Sequence, residues 1–262
     1  MMRRSVLADL LRRTGLPWLM RNRVTHVEVI QHCIDALRAR TYLEIGVADG
    51  TCFCSVTAPM KVGVDPVPPA NAVSVELENP GVNYYAATSD DFFRTLAPRV
   101  LAEGVDVVFI DGLHTSSQAY RDCSNALRYL SPSGVILLHD CLPANEAEAR
   151  AADSYQEAAR LNGPSWNGQW TGDVWKAIVA LRASHTELET HVLSCDKGIG
   201  FVRRGKSGDG LNASGLDVGN MTYADLVADA DRLLGLRLPV YLAWVLKMRR
   251  CCLLYTSPSP RD

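Results

Sequence analysis

The sequence predicts an α/β fold with buried parallel strands and a ligand crevice along the C-terminal ends of those strands. Three stretches carry this reading. Thr41 to Val64 runs strand, glycine turn, helix, strand, with Asp65 closing the second strand; this is half of a nucleotide-binding α/β unit. Val105 to Ile110 and Val135 to Leu138 are nearly continuous apolar runs, as strands covered on both faces require. Leu188 to Leu193 and Ile199 to Val202 flank the turn Lys197-Gly198 and read as a hairpin that closes the pattern.

Composition sets the outer bounds. The chain has 262 residues, of which 47% are apolar and 21% charged, enough for one α/β domain with extensions. A net charge of −2 offers no bulk attraction to nucleic acid. Eight cysteines occur without a C-x-x-C pair, which is neither a disulfide framework nor a zinc pattern and suits the cytoplasm. The run from Val240 to Leu246 is too short to span a bilayer, so no stable membrane insertion is expected. The basic start MMRRSVLADLLRR is interrupted by Asp9, Arg12 and Arg13 and is not read as a signal peptide.

Residues 1–40 form the expected helical extension. Val6, Leu7, Leu10 and Leu11 fall at helical spacing before Pro17. Their apolar face suits packing on the domain or on a second subunit, with a membrane-surface helix as the alternative. Thr25 is the expected N-cap of a helix through Arg38, with Val27, Ile30, Ile34 and Leu37 on one face.

The core spans residues 41–204. Gly46 and Gly50 bracket Val47-Ala48-Asp49 and permit a tight turn with close backbone approach to a ligand. Asp65 follows Glu44 by 21 residues; an acid at that strand end accepts hydrogen bonds from both hydroxyls of a ribose. Pro66 to Pro69 is a rigid loop, and a short helix is expected around residues 71–78. Val82 to Ala86 is the third strand, and Thr88 to Asp91 follow it. There, Asp90 either contacts the ligand or, like Ser89, caps the helix Asp91 to Ala97.

The next two strands deliver chemistry. Val105 to Ile110 ends in Asp111-Gly112-Leu113-His114, and Val135 to Leu138 ends in His139-Asp140-Cys141. Between them Ser116 or Ser117 is the expected cap of a helix with Tyr120, Cys123, Leu127 and Leu130 inward, and Pro132-Ser133-Gly134 is the expected turn. Two acids and two histidines at one sheet edge are costly to bury without partners. Residues 143–171, with PSWNGQWTG, form a long insert expected to act as a lid. Gly172-Asp173 then opens a helix carrying Val174, Ile178 and Leu181.

Residues 205–250 read as a Gly/Ser/Asp-rich linker followed by a helix capped by Thr222, with Leu226, Ala230, Leu233 and Leu234 inward. Residues 251–262, CCLLYTSPSPRD, resemble translated adapter read-through at the end of a metagenomic gene sequence and are set apart from the fold.

With YLEIGVADG, GVD, VVFIDGLH, SGVILLHD and GDVWKAI in this order, the chain resembles the class I S-adenosylmethionine-dependent methyltransferases. More narrowly it resembles the bacterial small-molecule methyltransferases of the methyltransferase-24 type, over about residues 25–204. The E-x-G-x-x-x-G spacing looks like motif I of that class, and Ser133-Gly134 stands where the family usually has Gly-Gly. The resemblance implies a Rossmann-like, seven-stranded, mostly parallel sheet of order 3-2-1-4-5-7-6 with strand 7 antiparallel. It implies that Glu44, Gly46, Asp49, Gly50, Asp65, Asp90 and Asp111 bind the cofactor. Asp111 and Asp140 match positions that hold a divalent metal in related O-methyltransferases, and His139 beside them turns the donor set toward manganese, iron or zinc.

Methyl transfer to a hydroxyl requires alignment and proton removal. His114 and His139, with Asp111, are the catalytic candidates because imidazole titrates near neutrality; for His114 a loop or capping role is the alternative. The acceptor expected is a small molecule or a sugar, since the amine motif N-P-P-[YF] is absent. A nicotinamide-dependent oxidoreductase would want a third glycine where Thr51 stands. A non-catalytic nucleotide-binding protein on the same fold would leave both histidines without a task.

Overall fold

The computed structural model of the protein describes residues 24–206, 208–212 and 214–246. The helix expected before Val24 and the tail 251–262 lie outside the described residues. Helix α1, His26–Leu37, starts at Thr25, whose side chain accepts from the Glu28 N–H while Glu28 reaches back to the cap. Its inward face is Val29, Ile30, Cys33 and Ile34. The expected Val27 and Leu37 are only partly buried, because the stripe contacting the sheet is rotated toward Cys33.

The sheet has seven strands in the order β3-β2-β1-β4-β5-β7-β6. They are β1 (Thr41–Ile45), β2 (Met60–Asp65), β3 (Val82–Ala86), β4 (Val105–Ile110), β5 (Leu130–Leu138), β6 (Leu188–Leu193) and β7 (Ile199–Arg204). β1 pairs in parallel with β2 and β4, β3 extends β2 and β5 extends β4 in parallel, and β7 runs antiparallel to both β5 and β6. This is the topology the resemblance implies.

Alternation along the strands feeds two cores. Leu43, Ile45, Val108, Ile110, Ile136 and Leu138 point to one face, where α6 (Ser116–Leu127) and α8 (Trp175–Ser184) cover them. Tyr42, Val107, Phe109, Val135 and Leu137 point to the other, under α1. Each such fully buried aliphatic side chain contributes about 1.5–3 kcal/mol, so the register is strongly fixed.

Register places the site. Ile45 is level with Val64 and Ile110, and Ile110 with Leu138. The residues that follow, Gly46, Asp65, Asp111 and His139, therefore stand in one row along the sheet edge.

Several local expectations are corrected. Thr88, rather than Ser89 or Asp90, caps the short helix α4 (Ser89–Asp91) by accepting from the Asp91 N–H. Helix α4 passes through a π turn, Phe92–Leu96, into α5, Ala97–Val100. Thr115, rather than Ser116 or Ser117, caps α6; in both cases the extended residue one position earlier has the β-region backbone a cap needs. Leu130 begins β5 instead of ending α6, and Pro132-Ser133-Gly134 lies within the strand, where the pairing with β4 shifts register between Val105 and Val107. Helix α8 starts at Trp175, not at Gly172-Asp173. Helices α2 (Thr51–Ser55), α3 (Asn71–Glu76), α7 (Tyr155–Asn162) and α9 (Tyr223–Leu234) complete the domain. The last is capped by Thr222 and Asp225 as a capping box.

Candidate active site

The turn after β1 is built by backbone constraints. Gly46 has φ +87° and its N–H donates to the Val64 carbonyl at 2.9 Å. The Ala48 N–H donates to Asp65 Oδ2 at 3.0 Å, and the Val67 N–H to Asp65 Oδ1 at 2.9 Å. The Asp65 carboxylate is thus clamped at the end of β2 with one further acceptor position on each oxygen. Asp49 accepts from the Thr51 N–H at 2.9 Å, and that bond holds its carboxyl below the usual carboxylate range. Gly50 has φ +84°, and an added Cβ would lie 2.4 Å from Val73 Cγ2; its smallness serves packing of the turn on α3.

A cavity of about 800 Å³ opens over this edge, and Glu44, Gly46, Asp49, Asp65, Asp90 and Asp111 all line it. Gly50 does not. No lysine or arginine is among the described residues that line the cavity. Glu44 is buried and accepts a hydrogen bond from the Tyr42 hydroxyl. Burial pushes its carboxyl up to about 8 against the lowering effect of the Tyr42 and Cys52 hydrogen bonds. At the far end Asp90 pairs with Arg121 at 3.3 Å. Gln118, from α6, donates to Ser89 Oγ at 3.1 Å and to Asp122 Oδ1 at 3.0 Å. Burial raises Asp122 to about 6.

The ends of β4 and β5 meet in a cluster of acids and histidines. His139 Nδ1 sits 3.4 Å from Asp111 Oδ1 and 3.3 Å from Asp140 Oδ1. Burial lowers the affinity of His139 for its proton, but hydrogen bonds and charge from Asp111 and Asp140 outweigh this and raise it to about 10. Its Nε2 is buried without a hydrogen-bond partner. Burial pushes Asp111 up, yet the His139 hydrogen bond and charge, with His114 and His26 nearby, leave it below the usual carboxylate range. His114 Nδ1 lies 2.9 Å from the Trp170 carbonyl and 3.2 Å from Asp140 Oδ2, with Nε2 3.8 Å from Asp111 Oδ1.

The structure therefore brings Asp111, His114, His139 and Asp140 together, but on two levels. Asp111 and His114 border the large cavity; His139 and Asp140 lie behind them around a much smaller one. The ligating atoms of Asp111, His139 and Asp140 lie within 4.8 Å of one another. The insert 143–171 is seated against His114: the Trp170 ring stacks on it at 5.0 Å between centroids, and the Trp170 Nε1–H donates to the Arg150 carbonyl at 2.7 Å. The insert does not line the large cavity.

Sequence reasoning missed His26, Gln118 and Asp196. His26 lines the cavity and is held by Asp196. The cap at Thr25 marked the helix start, yet only the fold shows that this start abuts the edge of the sheet.

Residues 43–141 match a family model described as a methyltransferase domain. No curated protein matches the chain significantly. Among solved structures it is similar to cofactor-bound Rv0187 from MTB, at 20% identity and TM-score 0.49, covering 77% of this chain and 90% of that one. It is also similar to the O-methyltransferase from Bacillus cereus in complex with SAH, at 16% identity and TM-score 0.49, with the same coverage of 77% and 90%. The N-methyltransferase NodS from Bradyrhizobium japonicum is similar at 17% identity and TM-score 0.45, covering 70% and 94%. No helix among the described residues is long and apolar enough to cross a membrane.

Proposed function

We propose that the chain, whose residues 43–141 match a family model described as a methyltransferase domain, is an S-adenosylmethionine-dependent enzyme that methylates a hydroxyl of a small molecule or a sugar. The observation that carries this reading is the charge of the cavity. Acids line it from Asp65 to Asp111, and among the described residues no lysine or arginine does. A dinucleotide would bring a pyrophosphate into that negative field with no lysine or arginine of the described residues to meet it, whereas a sulfonium is attracted.

The residues present fit the cofactor. Asp65, clamped by two backbone N–H groups, keeps acceptor positions for a ribose diol. Asp90, beside Gln118 and Ser89, would take the amino group of adenine. The backbone of Gly46 to Asp49, with Glu44 beneath it, forms the wall for the amino-acid portion. When bound, S-adenosylmethionine supplies an electrophilic methyl group. The chain then has to align a nucleophile and accept its proton. The histidines and acids that border the crevice are the groups at hand. His139, held protonated between two carboxylates, anchors Asp111 and Asp140 rather than serving as the base.

A second reading places a divalent metal among Asp111, His139 and Asp140, favoured by the 4.8 Å spread of their donor atoms. Mixed nitrogen and carboxylate ligands suit manganese, iron or zinc, and the ion would lower the pKa of an acceptor hydroxyl.

The test is isothermal titration with S-adenosylhomocysteine, alongside Asp65→Ala and an NADH control. Micromolar binding that is lost in Asp65→Ala supports the reading. Binding of NADH instead, or no binding of S-adenosylhomocysteine by folded protein, refutes it. Turnover of hydroxylated metabolites with and without a chelator separates the base and metal readings.

A further inference from the structure

His26 and Asp196 are 170 residues apart yet share a built contact. Asp196 lies in the turn between β6 and β7, where Asp196, Lys197 and Gly198 have φ of +42°, +63° and +83°. Two consecutive non-glycine residues in the left-handed region cost energy that surrounding structure must offset. The turn carries the Asp196 carboxylate to the start of α1, where Oδ2 accepts from the His26 backbone N–H at 2.5 Å and lies 2.6 Å from ring Nδ1. The His26 ring is further fixed by stacking on Phe109 at 5.6 Å and 4° between planes, and by an edge contact with His139 at 4.9 Å.

A carboxylate only accepts, so Nδ1 carries the proton in this contact; in the neutral ring, Nε2 then holds the lone pair. His26 borders the large cavity. The other two histidines of the cluster are differently placed. His114 has a carboxylate near each ring nitrogen, and the free nitrogen of His139 is buried. An imidazole oriented by a carboxylate at the border of a ligand cavity has the geometry of a general base.

We propose that His26 is the catalytic base for the methyl acceptor and that Asp196 is its positioning residue; this rests on the methyltransferase reading above. The acceptor oxygen forms a bond to the methyl carbon, the carbon–sulfur electron pair stays on sulfur, and the hydroxyl proton passes to His26 Nε2. The positive sulfonium becomes a neutral thioether, the imidazolium is stabilised by Asp196, and its proton is later lost to water. The ligand class is a small molecule with a hydroxyl acidic enough to hand its proton to imidazole, as a phenol or enol is.

The probe is 4-nitrophenol, whose anion is yellow, added to protein saturated with S-adenosylhomocysteine at a pH below the probe's own ionisation. Calorimetry first establishes that S-adenosylhomocysteine binds; if it does not, the methyltransferase reading fails and this proposal with it. With binding established, wild type ionises the bound probe, and His26→Gln lowers the anion signal at least about tenfold, one pKa unit of proton affinity. No anion in wild type, or a signal kept in His26→Gln and lost in His114→Gln, overturns the proposal. Nitrogen NMR of histidine-labelled wild type tests the dyad independently of that variant. A proton on Nδ1 of His26, weakened in Asp196→Asn and restored in Asp196→Glu, is expected; a proton on Nε2 instead overturns it.

Discussion

The α-carbon of Gly46 faces the backbone carbonyl of Asp111 so closely that an added Cβ would lie 2.1 Å from that oxygen. The contact joins the end of β1 to the end of β4 and sets the depth of the crevice between them. Because the obstacle is backbone, it does not yield as a side chain would, and φ of +87° penalises any L residue. Gly46→Ala is expected to cost about 2–4 kcal/mol and to abolish S-adenosylhomocysteine binding. Urea unfolding read beside calorimetry checks both; near-wild-type stability would show that the two strand ends move apart freely.

The buried pairing of His139 with Asp111 and Asp140 makes a second prediction. Asp140 is 6% exposed, and its carboxylate faces both His139 and His114. Asp140→Asn removes a charge while the His139 cation stays buried, and such losses cost about 3–5 kcal/mol. Unfolding measured with and without a chelator gives the same cost in both conditions if the imidazolium is the partner. A cost that vanishes with the chelator points to a metal.

Much of this was legible in the chain. Gly46 and Asp65 were readable because tight turns and strand-end acids leave marks in sequence. The apolar runs of β4 and β5 announced their burial, so the acids and histidines after them were found too. What was hidden was relative depth. His139 follows its strand as Asp111 does, yet its ring turns behind the crevice because two carboxylates draw it there. His26 was hidden for another reason: its partner, Asp196, is on the far side of the sequence, and nothing local in either segment signals the contact. Gly50 looked like a ligand glycine, but the neighbour that excludes a side chain there is Val73.

Gly172 locks the insert onto the His114 loop. An added Cβ would lie 1.8 Å from the His114 carbonyl oxygen, and Trp170, two residues earlier, stacks on the His114 ring. Gly172→Ala is expected to lift the insert and expose Trp170. A red shift of tryptophan emission, absent in Gly163→Ala, where no atom lies within 4 Å of an added Cβ, checks this. Unchanged emission would mean that the insert is held by other contacts, such as Glu148 with Lys197 at 2.9 Å.

Glu44 couples binding to protons. Its carboxyl is raised from 4.5 to about 8, so the folded state holds a proton that the unfolded chain has released. The stabilising effect of that proton is complete below pH 4.5 and is lost as pH rises through about 8. Glu44→Gln, which keeps an acceptor for the Tyr42 hydroxyl, is therefore expected to be more stable than wild type above pH 4.5. The gain grows to at most about 4–5 kcal/mol near pH 8. A cation in the cavity favours the ionised carboxylate, so S-adenosylmethionine is expected to expel this proton at neutral pH. The uncharged thioether S-adenosylhomocysteine should expel less. Calorimetry in two buffers of different ionisation enthalpy reads the released protons directly. Equal release by both ligands, or release that persists in Glu44→Gln, would place the proton on another group of the cavity, with Asp122, raised to about 6, the first to examine.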